Sequence, residues 1–317
     1  MLPTIQDAIE RHYDLRLVHV VPGSRQFVAE TYVLETACGQ QYFCKITSKP
    51  LFIREIIPAL PLVAYLHHQG IERICRPIAT RDQALSITVG DRLVVLHTYI
   101  DGAVQSYDYD VRAYGQLVAQ IHGLATPEQG DTSHREDFTF PYGEYWDERF
   151  EQPLRHVTNT PIDQAFQRVL RRHEDQIRRF KIRFEALAVS AAEKQAPLVI
   201  THGDGPGNVL MRAPQDIYLI DWDEAMVTPA ERDIWMIDHV PGFLEGYRDG
   251  RPDFMIDQDL RGFYTLKYFF QRHMHYTAEI LNEELDEATR RQHLSDMDRE
   301  LSEKGWMAPR LAEVWDD

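Results

Sequence analysis

An acid and an amide stand close together in Thr201-His202-Gly203-Asp204-Gly205-Pro206-Gly207-Asn208, a glycine-rich stretch between the apolar runs PLVI and VLM. Beyond Asn208 a second polar island, Ile220-Asp221-Trp222-Asp223-Glu224, whose first acid stands thirteen residues on, closes another apolar run, IYLI. Each island reads as a tight turn at the rim of a strand, where a carboxylate projects outward instead of packing. On such a turn Asp204 can orient a hydroxyl and accept its proton as a P–O bond forms. Asn208 offers a neutral oxygen ligand and Asp221 a charged one. That pair suits Mg²⁺, a hard cation that takes oxygen ligands and bridges nucleotide phosphates. Turn propensity alone accounts for one Asp or Asn in a loop. It does not account for two islands, each ending an apolar strand and joined by the hairpin NVLMRAPQDIYLID.

The elements that must position these turns are legible from periodicity. MLPTIQDAIERHYDL predicts an amphipathic helix with Ile5, Ile9 and Tyr13 on one face. FVAETYVL and QYFCKIT are rich in β-branched and aromatic residues, so residues 27–47 predict a hairpin with Lys45 inside its second strand. EIIPALPLVAYLHHQG then predicts a helix that Pro58 and Pro61 must kink or start, with Gly70 at its end. ALSITV and DRLVVLHTYI predict a further strand pair around Gly90-Asp91. From there helices dominate: one over VRAYGQLVAQIHGLATP, a long one over residues 163–189 and one over LRGFYTLKYFFQRHMHYTAEIL. The charge run RRHEDQIRRFKIRFE in the long helix interleaves acids with bases and reads as a solvated helix face.

With 44% hydrophobic and 26% charged residues in 317, the composition is that of an ordinary globular protein, not a disordered one. A net charge of −16 opposes nonspecific binding to nucleic acid and favours a cationic small molecule. Cys38, Cys44 and Cys75 form no C-x-x-C pair and have no histidine at zinc-ligand spacing, so a reducing cytoplasm is expected. No apolar run approaches the ~18 residues of a membrane-spanning helix, and the amino terminus lacks the pattern of a secretory signal.

HGD, three residues, Asn, and then YLIDWDEA resemble the catalytic and metal-binding segments of the aminoglycoside phosphotransferase family, whose fold is that of the protein kinases. The continuation IDWDEAMVTPAERDIWMI is similar to spectinomycin phosphotransferases, which modify an antibiotic with cationic amines. The resemblance implies an α+β, two-lobed fold: a small β-rich lobe over 1–95, a hinge linker over 96–102, and a larger, mainly helical lobe over 103–317. It makes Asp204 the catalytic carboxylate, and Asn208 and Asp221 the ligands of Mg²⁺, with Asp223 as an outer-shell partner. His202 would hold the loop by hydrogen bonding, and Asp233 would be structural. Lys45, costly to bury unpaired, would meet the α- and β-phosphates of ATP or GTP, with Glu55 on the next helix fixing its amine. Gly23 and Ser24 fall where the family contacts nucleotide. His97, Thr98, Tyr99 and Ile100, in LHTYIDG, resemble the linker that reads the purine edge.

The implied reaction is γ-phosphoryl transfer to a hydroxyl of an aminoglycoside or aminocyclitol such as spectinomycin. Choline, homoserine or methylthioribose kinases, and a catalytically impaired nucleotide-binding protein, are the alternatives. One departure bears on the last of these. Kinase loops place four residues between the catalytic Asp and the ligand Asn, whereas Gly205, Pro206 and Gly207 are three. Either the two glycines tighten the turn through positive φ, or Asp223 or water replaces the amide, or the site is impaired.

Overall fold

The computed structural model describes residues 1–23, 29–105, 108–128, 134–156, 160–213 and 215–315. In chain order, helix α1 (Pro3–Tyr13) leads into strands β1 (Leu17–Pro22), β2 (Glu30–Thr36) and β3 (Gln41–Thr47). Helix α2 (Pro50–His68) and strands β4 (Ile87–Val89), β5 (Arg92–Thr98) and β6 (Ala103–Gln105) follow. Helices α3 (Val111–His122), α4 (Gln152–Arg155) and α5 (Pro161–Glu193) precede strands β7 (Leu198–Thr201), β8 (Val209–Ala213), β9 (Asp216–Leu219) and β10 (Met226–Pro229). Helices α6 (Glu231–Ile234), α7 (Phe243–Gly250), α8 (Gln258–Leu281), α9 (Glu287–Leu301) and α10 (Ala308–Glu313) complete the chain. Two compact units result, Met1–Glu136 with Pro197–Phe254, and Asp137–Ala196 with Met255–Asp317.

In the first unit the order β1-β2-β3-β5-β4 makes an antiparallel sheet. Alternation along β3 and β5 sends Cys44, Ile46, Val94 and Leu96 to the face where Ile5, Ile9 and Tyr13 of α1 pack. Leu93 and Val95 take the opposite face, against Ile56 and Leu60 of α2. Lys45 is registered between Thr31 of β2 and Val95 of β5, so it sits in the middle of the sheet and not at an edge.

Helix α2 begins at Pro50, ahead of the start expected near Glu55, because proline is tolerated at a helix's first turn. Pro58 and Pro61 lie inside it. By length and composition alone α2 is apolar enough to cross a membrane, with a mean hydropathy of 1.2, which corrects the expectation that no segment comes near. Here its apolar residues serve as the cover of the sheet.

Strands β6, β8 and β9 form a second sheet, and β10 pairs with β7 in a third. Beside them α3 and α7 approach so closely that a Cβ on Gly115 would lie 2.9 Å from the Tyr247 amide. In the second unit, Phe180 and Phe184 of α5 meet Phe263, Phe269 and Phe270 of α8. The charge run of α5 thus has an apolar seam, and its arms are paired, Arg178 with Glu151 and Glu174, Arg172 with Asp298.

Candidate active site

The two polar islands are held by their neighbours in the first unit. β7 delivers Thr201 to the first turn, and the β8–β9 hairpin connects it to the second. Past the hairpin the Ile220 amide donates to the Asn208 carbonyl at 3.0 Å, so Asn208 lies across from the residue before Asp221. Asp233, on α6, accepts the amides of His202 and Gly203 at 2.8 and 2.7 Å and is itself held by His122 Nε2 at 3.1 Å.

His202 is committed to the backbone on both sides of its ring. Its Nδ1 accepts the Asp204 amide at 3.3 Å, and its Nε2 donates to the Ile220 carbonyl at 2.8 Å. Burial holds its pKa below the ordinary value, which keeps the ring neutral as this pattern requires.

Gly205-Pro206-Gly207 forms a single 3₁₀ turn, closed by the Asn208 amide donating to the Gly205 carbonyl at 2.9 Å. The Asn208 side-chain NH₂ donates to the Asp204 carbonyl at 2.7 Å and to its carboxylate at 3.1 Å. The loop is therefore tightened, but not as the sequence suggested. Neither Gly205 nor Gly207 has positive φ, whereas Gly203, ahead of the acid, does, at 94°. A 3₁₀ turn advances more per residue than an α turn, so regular backbone bridges the shorter span. Tyr109 fixes the turn by donating from its hydroxyl to the Pro206 carbonyl at 2.9 Å.

Facing the second island is Lys45, 4% exposed. Its Nζ lies 2.6 Å from Asp221 Oδ1 and 2.5 Å from Asp223 Oδ2. Burial acts to lower the lysine pKa, and the two carboxylates outweigh it, so the amine stays charged. Burial pushes both acids up. Lys45 more than offsets this at Asp221, whose pKa falls, while Asp223 remains raised by burial and by the Asp221 charge. Asp221 has φ 62°, a conformation rare for a residue with a side chain and one concentrated at functional sites.

The expected Glu55 is not among the partners of Nζ among the described residues. Two carboxylates from one short turn already satisfy the ammonium, and Asp223, expected at one remove, is one of them.

Lys45, Asp221 and Asp223 line a cavity of about 240 Å³. Gly23, His97, Thr98, Tyr99 and Ile100, which the sequence resemblance set against nucleotide, line it too, whereas Ser24 lies outside the described residues. Val33, Phe43, Val104, Leu210 and Ile220 add apolar walls suited to a flat ring. No motif marked Val33, Phe43, Val104 and Leu210, since only strand register brings them together. His97 and Thr98 are the last residues of β5. Thr98 is tied back, its amide to the Arg76 carbonyl at 2.9 Å and its carbonyl to the Cys75 thiol at 3.3 Å. Burial pushes that thiol up to about 12, which makes it inert. Burial, with Lys45 adding, pushes His97 down to about 3, so a neutral imidazole borders the cavity.

An acid on a braced turn, an amide tethered to it and a lysine–dicarboxylate cluster at a cavity are the parts of a phosphoryl-transfer site. The model of the phosphotransferase enzyme family matches residues 19–254. The chain belongs to that family. No curated protein matches it in sequence. Among solved structures, a spectinomycin phosphotransferase in complex with ADP and spectinomycin superposes with a TM-score of 0.71 at 19% identity, covering 98% of both chains. An aminoglycoside phosphotransferase from Alicyclobacillus acidocaldarius gives 0.59 at 16% identity, over 99% of this chain and 95% of the other. A microcompartment-associated aminopropanol kinase gives 0.57 at 18%, over 95% and 98%. The fold is thus the kinase-like one of this family, an N-terminal antiparallel sheet followed by a mainly helical part. The reaction class is phosphoryl transfer to a small molecule.

Proposed function

We propose that this phosphotransferase moves the γ-phosphoryl group of ATP or GTP to a hydroxyl of an aminoglycoside or aminocyclitol antibiotic such as spectinomycin, with Mg²⁺ as the metal. The observation that carries the donor half is the Lys45–Asp221–Asp223 cluster lining a largely apolar cavity. A buried ammonium beside two acids is matched to a ligand that brings anionic phosphates and a divalent cation together.

The residues fit the metal. The Asn208 NH₂ is committed to Asp204, which leaves the amide oxygen as the end that can serve a cation. Asp221 supplies the charged oxygen. Among the described residues no three His, Cys, Asp or Glu side chains make a metal site, so phosphate and water would complete the shell, as is usual for Mg²⁺. The ion would neutralise charge on the phosphates. Asp204 orients the acceptor hydroxyl and takes its proton, and Asn208 holds that carboxylate. Lys45 binds phosphate oxygens, and the cavity walls hold the base and exclude water.

The acceptor half rests on the resemblance of IDWDEAMVTPAERDIWMI to spectinomycin phosphotransferases and on the net charge of −16, which draws cations. Purified protein with Mg²⁺ and either ATP or GTP should consume nucleotide with spectinomycin or an aminoglycoside. Turnover confined to choline, homoserine or aminopropanol would refute the antibiotic assignment and keep the kinase.

A further inference from the structure

The guanidinium of Arg232 touches both polar islands, and nothing in the reaction above uses it. Arg232 lies on α6 and is buried, 8% exposed. Its Nη1 donates to Thr201 Oγ1 at 3.0 Å, and its Nη2 donates to Glu224 Oε2 at 3.5 Å. Thr201 is the residue before the His202-Gly203-Asp204 turn, and Glu224 is the residue after Asp223.

Between those two contacts the guanidinium lies against Gly203. A Cβ at Gly203 would stand 2.6 Å from Cζ and 2.8 Å from Nη1, so only glycine admits the arginine at this distance. The next residue, Asp233, grips the same peptide through the His202 and Gly203 amides. The backbone leading into Asp204 is therefore held by consecutive side chains of one helical turn.

As a stability device the arginine is poor. Burying a cation costs several kcal/mol, and its ion-pair partner stands 3.5 Å away and is a quarter exposed. What the arrangement provides is register. The planar fork of an arginine spans two acceptors in fixed geometry, which a lysine cannot reproduce.

We infer that Arg232 is a positioning residue for phosphoryl transfer. It sets the spacing between the turn that carries Asp204 and the turn that carries Asp221 and Asp223, an inference that rests on the phosphotransfer reading. A misplacement of about 1 Å between reacting groups costs roughly 10²-fold in rate.

Arg232→Lys and Arg232→Met are compared with wild type in three measurements: thermal melting, steady-state kinetics against nucleotide, and hydrogen exchange of the peptide covering residues 199–208. For both variants kcat should fall ~10- to 100-fold while the nucleotide KM stays within about twofold. The 199–208 amides should exchange faster, and peptides of the 30–47 hairpin should not change. Should Arg232→Met fail to fold, Arg232→Lys decides alone. Wild-type turnover and exchange in Arg232→Lys would overturn the inference. So would a nucleotide KM that rises in step with the loss of kcat, which marks general loosening. If wild type phosphorylates no acceptor, the phosphotransfer reading fails by itself, and exchange then decides the clamp: faster exchange at 199–208 supports it, and unchanged exchange refutes it.

Discussion

Replacing Lys45 with Met keeps the apolar stem on β3 and deletes the ammonium between Asp221 and Asp223. Two acids that share one cation are then left facing each other. Removing one partner of a fully buried pair costs about 3–5 kcal/mol. The carboxylates here are 27% and 15% exposed at the side chain, so solvent screens part of the repulsion, and ~2–3 kcal/mol is the working figure. At ~2–4 °C per kcal/mol for a large domain, the melting temperature should drop by ~5–10 °C at about pH 7.5.

The pH dependence has a definite sign. In wild type, Asp223 has a raised folded pKa, so its stabilising effect exists at acid pH and is lost as pH rises through that value. Asp221 has a lowered one, so its contribution exists above the unfolded pKa and is lost on acidification. Without Lys45 both acids shift upward, so the variant should regain more stability than wild type as pH falls from about 7.5 to 5.5, a window in which wild type gains only through Asp223. Millimolar Mg²⁺ should also raise the variant's melting temperature more than the wild type's, since the carboxylates no longer face a competing cation. Differential scanning fluorimetry over pH, with and without Mg²⁺, reads all three. Equal melting of the two proteins at pH 7.5 without metal would refute the claim that the ammonium neutralises this pair.

Asp204→Ala should reduce turnover ~10²–10⁴-fold while nucleotide affinity, read by fluorescent-nucleotide titration, stays near wild type; near-normal turnover of folded protein would remove Asp204 from its role. Asn208→Ala and Asp221→Ala should each lower turnover at least ~10²-fold, and a silent Asn208→Ala beside a dead Asp221→Ala would pass the amide's place to Asp223 or water. Asp233→Asn should destabilise by ~1–3 kcal/mol in chemical denaturation, because two buried amides lose a charged acceptor. Burial acts to raise the Asp233 pKa, and its bonds to His122 and His202 lower it overall, so the wild-type advantage over that variant should shrink as pH falls through the lowered value. Apparent affinity for a cationic acceptor should weaken as salt rises, because the Debye length shortens below ~8 Å; a salt-independent KM would indicate a neutral one.

Much of the site was legible in sequence because local rules write it. Asp204, Asn208 and Asp221 sit at strand ends in turns whose glycines and polar residues announce them, and hairpins form between neighbours in sequence. Lys45 stood out because a charge inside an apolar strand needs a reason. Which partner answers that charge was not local. Nζ meets acids more than 170 residues away, and whether Glu55, Asp221 or Asp223 arrives first depends on how a helix and a distant turn approach the same strand. The same holds for the cavity walls, since Val33, Phe43 and Leu210 look like any core residues until two sheets set their register. The short catalytic loop shows the division most clearly. Counting residues revealed that one was missing, but only the packed structure showed a 3₁₀ turn at Gly205–Gly207, positive φ displaced to Gly203, and Arg232 and Asp233 holding that glycine in place. Backbone conformation in a turn is chosen by the contacts that surround it, and those contacts come from chain that the local sequence does not see.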